Sequence, residues 1–177
     1  MFKVDYYIIN RKFKYMCGQY DRCGNLCTIV FEVNKVFVVN RSPLKILNDS
    51  ILCTGYNLAG AMESSKILLN QEQLCPIVVN PREEIIVFPT RAPNHIDNIW
   101  FNPHHIKRTT SYNRKTLIQF SDGSSFIFPS RLSFFNSKLK IADQLEEMTM
   151  HSPNMAFVMI LDPKNRKKKK RTKKKDS

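Results

Sequence analysis

Glycine is scarce in this chain, five in 177 residues, and none falls in a Gly-x-Ser-x-Gly elbow, a Walker loop or a dinucleotide fingerprint. Loops that cradle phosphates by close backbone approach need glycines in groups, so the usual nucleotide-binding and hydrolase signatures are excluded. Also missing is any uninterrupted apolar stretch of about 18 residues, the length a membrane-spanning helix needs. The opening MFKVDYYIINRKF contains no long apolar run, which predicts no secretion signal. The five cysteines (Cys17, Cys23, Cys27, Cys53, Cys75) are odd in number. Without a secretion signal, that predicts reduced thiols, small buried hydrophobes for the most part, in a cytoplasmic protein. Cys17, Cys23 and Cys27 lack the close paired spacing of zinc ribbons, and no histidine follows at a ligand interval. His104 and His105 are adjacent, so on a strand they would face opposite ways. Glu83 and Glu84 sit beside a turn signal and read as a solvated edge. No metal, cofactor or catalytic constellation is assigned, and the chain is expected not to be an enzyme.

What is present is positive charge, unevenly placed. The formal charge is +13, yet residues 164–175 alone hold ten lysines and arginines. Residues 1–163 carry only a net +4. With 42% hydrophobic residues and 12 phenylalanines the body can bury a core. The division expected is a single domain over residues 1–163 and a basic tail, 164–177, too self-repelling to bury apolar surface and disordered when alone.

The fold class expected is α+β, mostly short antiparallel strands. Val4–Asn10, Leu26–Val33, Lys35–Asn40, Pro76–Asn80, Glu84–Phe88, Thr116–Phe120 and Ser124–Phe128 are rich in Ile, Val, Phe and Thr, which suit a pleated, half-buried surface. Asn80-Pro81 marks a turn between two of them. Asp122-Gly123 marks a hairpin between another two, both positions being able to take positive φ. One short helix is expected near 57–69, capped by Asn57 and weakened by Gly60. A second, amphipathic helix near 131–149 repeats Leu132, Phe135, Leu139, Ala142, Leu145 and Met148 at three- and four-residue steps. Its opposite face would carry Lys138, Lys140, Asp143, Glu146 and Glu147. It either packs on a sheet or, as an alternative, forms a dimer contact.

Ten clustered cations, Arg166, Lys167 and Lys168 among them, can neutralise several phosphates and release their counterions, which predicts salt-sensitive binding to nucleic acid. Such contacts carry no sequence information. Smaller basic groups stand in the body: Arg11, Lys12 and Lys14; Lys107, Arg108, Arg114 and Lys115; Arg131, Lys138 and Lys140. The second lies beside Trp100, Phe101, His104, His105 and Tyr112, where exposed aromatics could stack on bases. Burial of Trp100 and Phe101 in the core is the favoured reading. A basic RNA-binding or nucleoid-type protein without promoter specificity stays open on these grounds.

A further set of blocks occurs in order: Asn40-Arg-Ser-Pro-Leu-Lys-Ile-Leu47, Gly55-Tyr-Asn-Leu-Ala-Gly60, Pro76-Ile-Val-Val-Asn-Pro81 and Ile86-Val-Phe-Pro-Thr90. Trp100, His105-Ile-Lys107, Phe120-Ser-Asp-Gly123 and Ser133-Phe-Phe-Asn136 continue it. Over roughly residues 35–145 this series resembles the ComK family. The resemblance implies a bacterial competence transcription factor, a positive regulator of DNA-uptake genes. It also implies double-stranded DNA as partner, at boxes of an A-tract and a T-tract approached through the minor groove and bent. Action as a dimer or tetramer is implied too, with RNA polymerase an indirect partner. So is capture by a MecA-type adaptor for the ClpC–ClpP protease through a C-terminal apolar segment, here Phe157, Met159, Leu161 and Pro163. That segment only approximates the family's. The lysine block stands where the family would continue with a mixed, helix-forming sequence. The family supplies no transferable DNA-contact motif, so Lys107, Arg108, Arg114, Lys115, Arg131, Lys138 and Lys140, with Arg166, Lys167 and Lys168, are candidates from charge alone.

Overall fold

The computed structural model describes residues 2–151. Phe157, Met159, Leu161 and Pro163, and with them Arg166, Lys167 and Lys168, lie outside the described residues. A first meander follows the two-residue strand β1 (Lys3–Val4): β2 (Phe13–Tyr20), β3 (Leu26–Glu32) and β4 (Lys35–Val39). Two helices come next, α1 (Pro43–Leu52) and α2 (Leu58–Leu69), then a second meander of β5 (Ile77–Asn80), β6 (Ile85–Pro89) and β7 (Ile99–Phe101). The third meander is β8 (Ile106–Tyr112), β9 (Lys115–Phe120) and β10 (Ser125–Phe128), and α3 (Leu132–Glu146) ends in a π-helical turn.

The first two meanders join edge to edge through antiparallel β2 and β7, giving one sheet in the order β1-β4-β3-β2-β7-β6-β5. Only β1, against β4, is parallel. The third meander is a separate three-stranded sheet, β10-β9-β8. Alternation along the large sheet divides the core in two. Phe13, Met16, Val30, Val39, Val87 and Trp100 meet Ile46, Leu47 and Ile51 of α1 on one face. Tyr15, Phe88 and Phe101 point to the other, where Ile118, Phe120 and Phe128 of the small sheet and Phe135 and Ala142 of α3 cover them. The molecule therefore has three layers. Phe101, Phe128 and Phe135 pack ring to ring at 5.4–6.2 Å between centroids, spacings at which aromatic pairs add about 0.5–1.5 kcal/mol each.

The α+β expectation holds, and so do six of the seven strands. Val4–Asn10 does not: only Lys3–Val4 pairs, and beyond it side chains replace a ladder. Ile9 N–H donates to Ser50 Oγ at 3.0 Å and Tyr7 OH to Glu32 at 2.9 Å. Asn57 caps α2 as expected, its Oδ1 accepting from Gly60 N–H at 2.7 Å. At Asp122-Gly123 only glycine takes positive φ, 83°, so the connection is wider than a two-residue turn. His104 and His105 lie in a 3-10 turn rather than on a strand. Two cations are corrected. Lys138, assigned to the polar face of α3, lines up instead with Phe135, Ala142 and Leu145 and is buried. Lys14 is buried too.

Lys14 fastens the layers together. Its Nζ donates to Asp122 Oδ2 at 2.6 Å and to Ser124 Oγ at 2.8 Å, reaching from β2 to the β9–β10 turn. Both side chains are 7% exposed. Burial works to raise the Asp122 pKa, but hydrogen bonds from Lys14 and Ser124 outweigh it and hold the carboxyl well below its usual range. Beside this pair, His105 Nε2 donates to the Arg11 carbonyl at 2.7 Å, which leaves Nδ1 to accept from Ser121 Oγ at 3.2 Å. Burial lowers the His105 pKa, favouring the neutral ring this geometry requires.

Removing one partner of a buried pair strands the other charge. Asp122→Ala is expected to cost about 3–5 kcal/mol in urea unfolding, with Lys14→Met/Asp122→Leu recovering most of it. Both Asp122 and His105 titrate lower when folded than unfolded, so each contributes stability at high pH that is lost on acidification. The urea midpoint should start to fall as pH drops through the unfolded histidine value of 6.5, and fall again below the unfolded aspartate value of 3.8. His105→Gln should remove the first step and leave the second.

Candidate nucleic-acid interface

From Asn98 to Ala142 the sequence holds seven lysines and arginines and a single acid, Asp122. Lys14 occupies that one carboxylate. The β8–β10 sheet is thus basic, the other acids of this layer lying in the last turn of α3 at Asp143 and Glu146, and what matters is which side chains reach the surface.

Register decides this. Thr109 pairs Ile118, and Ile118 pairs Phe126, all on the inward face. The intervening residues must point outward. They are Arg108, Thr110 and Tyr112 on β8, Lys115, Leu117 and Gln119 on β9, and Ser125 and Ile127 on β10. Among the described residues no element packs on this outer face: Tyr112 remains 49% and Ile127 45% exposed. Tyr112 stands directly opposite Lys115, Arg108 opposite Gln119, and Leu117 lies between Thr110 and Ile127. The result is an open sheet face with cations at both ends, an exposed aromatic ring and no carboxylate.

Lys107 is the extra residue where the register slips between Ile106 and Arg108, a bulge that turns its side chain aside. At the far end Asn113 and Arg114 form the β8–β9 turn with φ of 47° and 61°. Two positive values are those of a type I′ turn, whose twist matches the strands it joins. Asparagine tolerates that conformation, whereas arginine is strained in it. The strain leaves a guanidinium at the tip of a two-stranded ribbon.

Helix α3 adds to the same layer. Thr116 Oγ1 donates to the Ser130 carbonyl at 2.8 Å, so Arg131, the next residue, starts the helix at the Arg114–Lys115 end of the sheet. Further on, Thr109 Oγ1 donates to Asn136 Oδ1 at 2.8 Å, tying the helix to β8. Lys140, one turn later, shares the face of Asn136 and is exposed. Among the described residues, Lys107, Arg108, Arg114, Lys115, Arg131 and Lys140 form no ion pair with a carboxylate.

Lys138 does not join them. It is 7% exposed, its Nζ lies 4.7 Å from the centre of the Phe134 ring, and burial lowers its pKa. Trp100 and Phe101 are fully buried, so neither is a stacking platform. One cation escaped the sequence reading: Arg91, isolated in the chain, lines a groove of about 560 Å³ with Phe126, Phe128 and Phe134. No local signal marks it, because the groove forms between the two sheets. All five cysteines are unbridged, and among the described residues no three His, Cys, Asp or Glu side chains converge as a metal site would require.

The family model for the ComK protein matches residues 4–152, virtually the whole of this architecture. The chain belongs to the ComK family. A curated relative, the competence transcription factor of Bacillus subtilis (strain 168), is 27% identical over 118 residues, or 66% of this chain and 61% of that protein. The chain thus aligns with less than two thirds of its relative's length. No solved structure matches. In ComK terms, the quoted blocks are mostly framework. Ser42-Pro43 starts α1, Asn57 caps α2, Phe88 and Phe101 fill the core, and Asp122 holds Lys14. The exposed cations of the β8–β9 ribbon fall largely between those blocks.

Arg114→Gly would relieve the turn while removing its charge. It is expected to raise stability by about 1 kcal/mol, read as a higher urea midpoint, with unchanged far-UV circular dichroism.

Proposed function

We propose that this ComK-family protein is a DNA-binding positive regulator of competence transcription that works in the cytoplasm and holds the duplex against the β8–β10 sheet. The observation that carries the proposal is the uncovered face and tip of that sheet, bearing cations with no carboxylate to pair them. Phosphates complete such a surface and release their counterions as they do so. A two-stranded ribbon is also narrow enough to follow a groove. With Arg114 at its tip and Lys115 beside it, the ribbon suits the narrow minor groove of an A-tract, whose deepened negative potential draws arginine in. Lys107, Arg108, Arg131 and Lys140 then serve the flanking backbone. In this division the body selects A/T-tract boxes, and the basic tail, with Arg166, Lys167 and Lys168, adds affinity for any sequence. A dimer or tetramer would set two or more such faces along one promoter, with RNA polymerase engaged only indirectly. The segment with Phe157, Met159, Leu161 and Pro163 would be what a MecA-type adaptor reads for ClpC–ClpP.

The exposed Tyr112 on an open sheet face favours a second reading, since such faces also stack single-stranded bases. Competition binding separates the two. An A/T-box duplex should displace a labelled box far better than random duplex or RNA; equal displacement by all three would establish the sequence-indifferent reading. Arg108→Ala, Arg114→Ala and Lys115→Ala should each weaken binding and lower the log K against log salt slope by about 0.9, while Lys138→Met leaves both unchanged. Deleting residues 164–177 should lower affinity for all sequences and flatten the slope, with box preference kept.

A further inference from the structure

Where α3 ends, a groove of about 420 Å³ opens between α2, edge strand β5 and the α1–α2 connection. Its long wall is one face of α2. Gly60, Ala61, Ser64, Ser65 and Leu68 recur there at helical spacing, and the first four are too small to fill the space before them. Val78 of β5 forms a second wall, Leu145 and Thr149 a third, and Tyr56, 63% exposed, stands at the rim. None of the thirteen lining residues is charged, in a chain that is 24% Asp, Glu, Lys and Arg. Hydroxyls on these walls are also spent. Thr54 Oγ1 donates to the Ile51 carbonyl at 2.7 Å, Ser65 Oγ to the Ala61 carbonyl at 3.0 Å and Thr149 Oγ1 to the Leu145 carbonyl at 2.7 Å. Each bond folds a donor back onto the preceding turn. The groove therefore asks an occupant for apolar contact rather than for hydrogen bonds.

What fits is on the chain itself. Thr149 lies on the wall of the groove, and the described residues end two positions later. Residues 152–161, which follow, contain no charge and close with the apolar run Phe157-Val-Met-Ile-Leu161. Phe157 comes eight positions after Thr149, a span of at most about 29 Å. The run is thus tethered to the groove's own wall. Extended backbone would set Phe157, Met159 and Leu161 on one side, and helical backbone Phe157, Ile160 and Leu161. Either way three large apolar side chains face together. A volume near 150 Å³ holds a benzene-sized body, so about 420 Å³ has room for about three of them. We propose that residues 155–161 dock in this groove as an intramolecular clasp, which covers the apolar walls and holds the start of the lysine block against the body. While docked, the run is closed to every other partner. The contact is independent of what the β8–β10 face binds.

Hydrogen exchange on the full-length protein, read by mass spectrometry, tests the clasp, because a docked segment exchanges only when it opens. Amides of residues 155–161 are expected to exchange at least about tenfold slower than in a free peptide of the same sequence. Ser64→Trp, at an exposed position on the α2 wall, fills the groove and should restore the free-peptide rate with far-UV circular dichroism unchanged. Phe157→Asp/Ile160→Asp should restore it too, and should also speed exchange in residues 60–68. That double variant leaves the groove empty, so a labelled peptide of residues 152–163 should bind it in trans, and should not bind when Ser64→Trp is added. Because the tether supplies a millimolar effective concentration, protection should stay constant over an about hundredfold range of protein concentration. Free-peptide rates in the unaltered protein would overturn the proposal. So would protection that survives Ser64→Trp, which places the segment elsewhere, or protection that rises with concentration, which makes a second copy the occupant. Failure of the peptide to bind the double variant would overturn it as well, and that result does not depend on how Ser64→Trp affects α2.

Discussion

The buried Lys14–Asp122 contact is the constraint on which the third layer depends. It is polar glue between two surfaces that are otherwise aromatic. The small sheet shares no backbone ladder with the large one, so only side chains hold it in place. Phenylalanine rings supply adhesion but tolerate sliding. An ion pair closed by Ser124, with the His105 bonds to Arg11 and Ser121 beside it, accepts only one docked position. Lys14 spends its charge on position, and so the only acid of the β8–β10 sheet is withdrawn from the surface. The same contact that fixes the sheet therefore leaves its outer face free of carboxylates.

That face could not be read from the sequence, although its parts could. The strands from Leu26 to Val39, the Asn57 cap and the period of α3 all follow from local chemistry, and so they were legible. Central strand β2 was not, because FKYMCGQY mixes Lys14, Gly18 and Gln19 into a buried strand whose partners are distant. Helix α1 has a plain starting signal in Ser42-Pro43, but its ten residues are too few to show a sustained period. Lys138 misled because spacing places it on the apolar stripe while its charge argues against burial. A long stem over Phe134 resolves the conflict. Which of Arg108, Lys115 and their neighbours share a face rests on a register slip at Lys107, and nothing in a short window of sequence reveals a bulge.

The family match spans framework and candidate site alike, residues 4–152. The ordered blocks of the sequence form caps, turns and core in this structure. The cations that would select a ligand sit on connecting and edge positions where substitutions cost little stability.

Sheet order also has a consequence for how the chain acquires its structure. Each of the three meanders pairs neighbours in sequence and can form soon after it leaves the ribosome. The seam between β2 and β7 cannot, because it joins residues 15–17 to residues 99–101. Until then β2 is a bare edge strand carrying Tyr15, Met16 and Cys17, the kind of edge that pairs with the wrong chain. This seam closes the longest loop of the large sheet, a pairing that loop-closure entropy disfavours until the intervening strands are formed. Lys14, beside the first paired residue of that edge, is an unpaired charge until the third layer docks, and so guards the strand before it has a partner to hold.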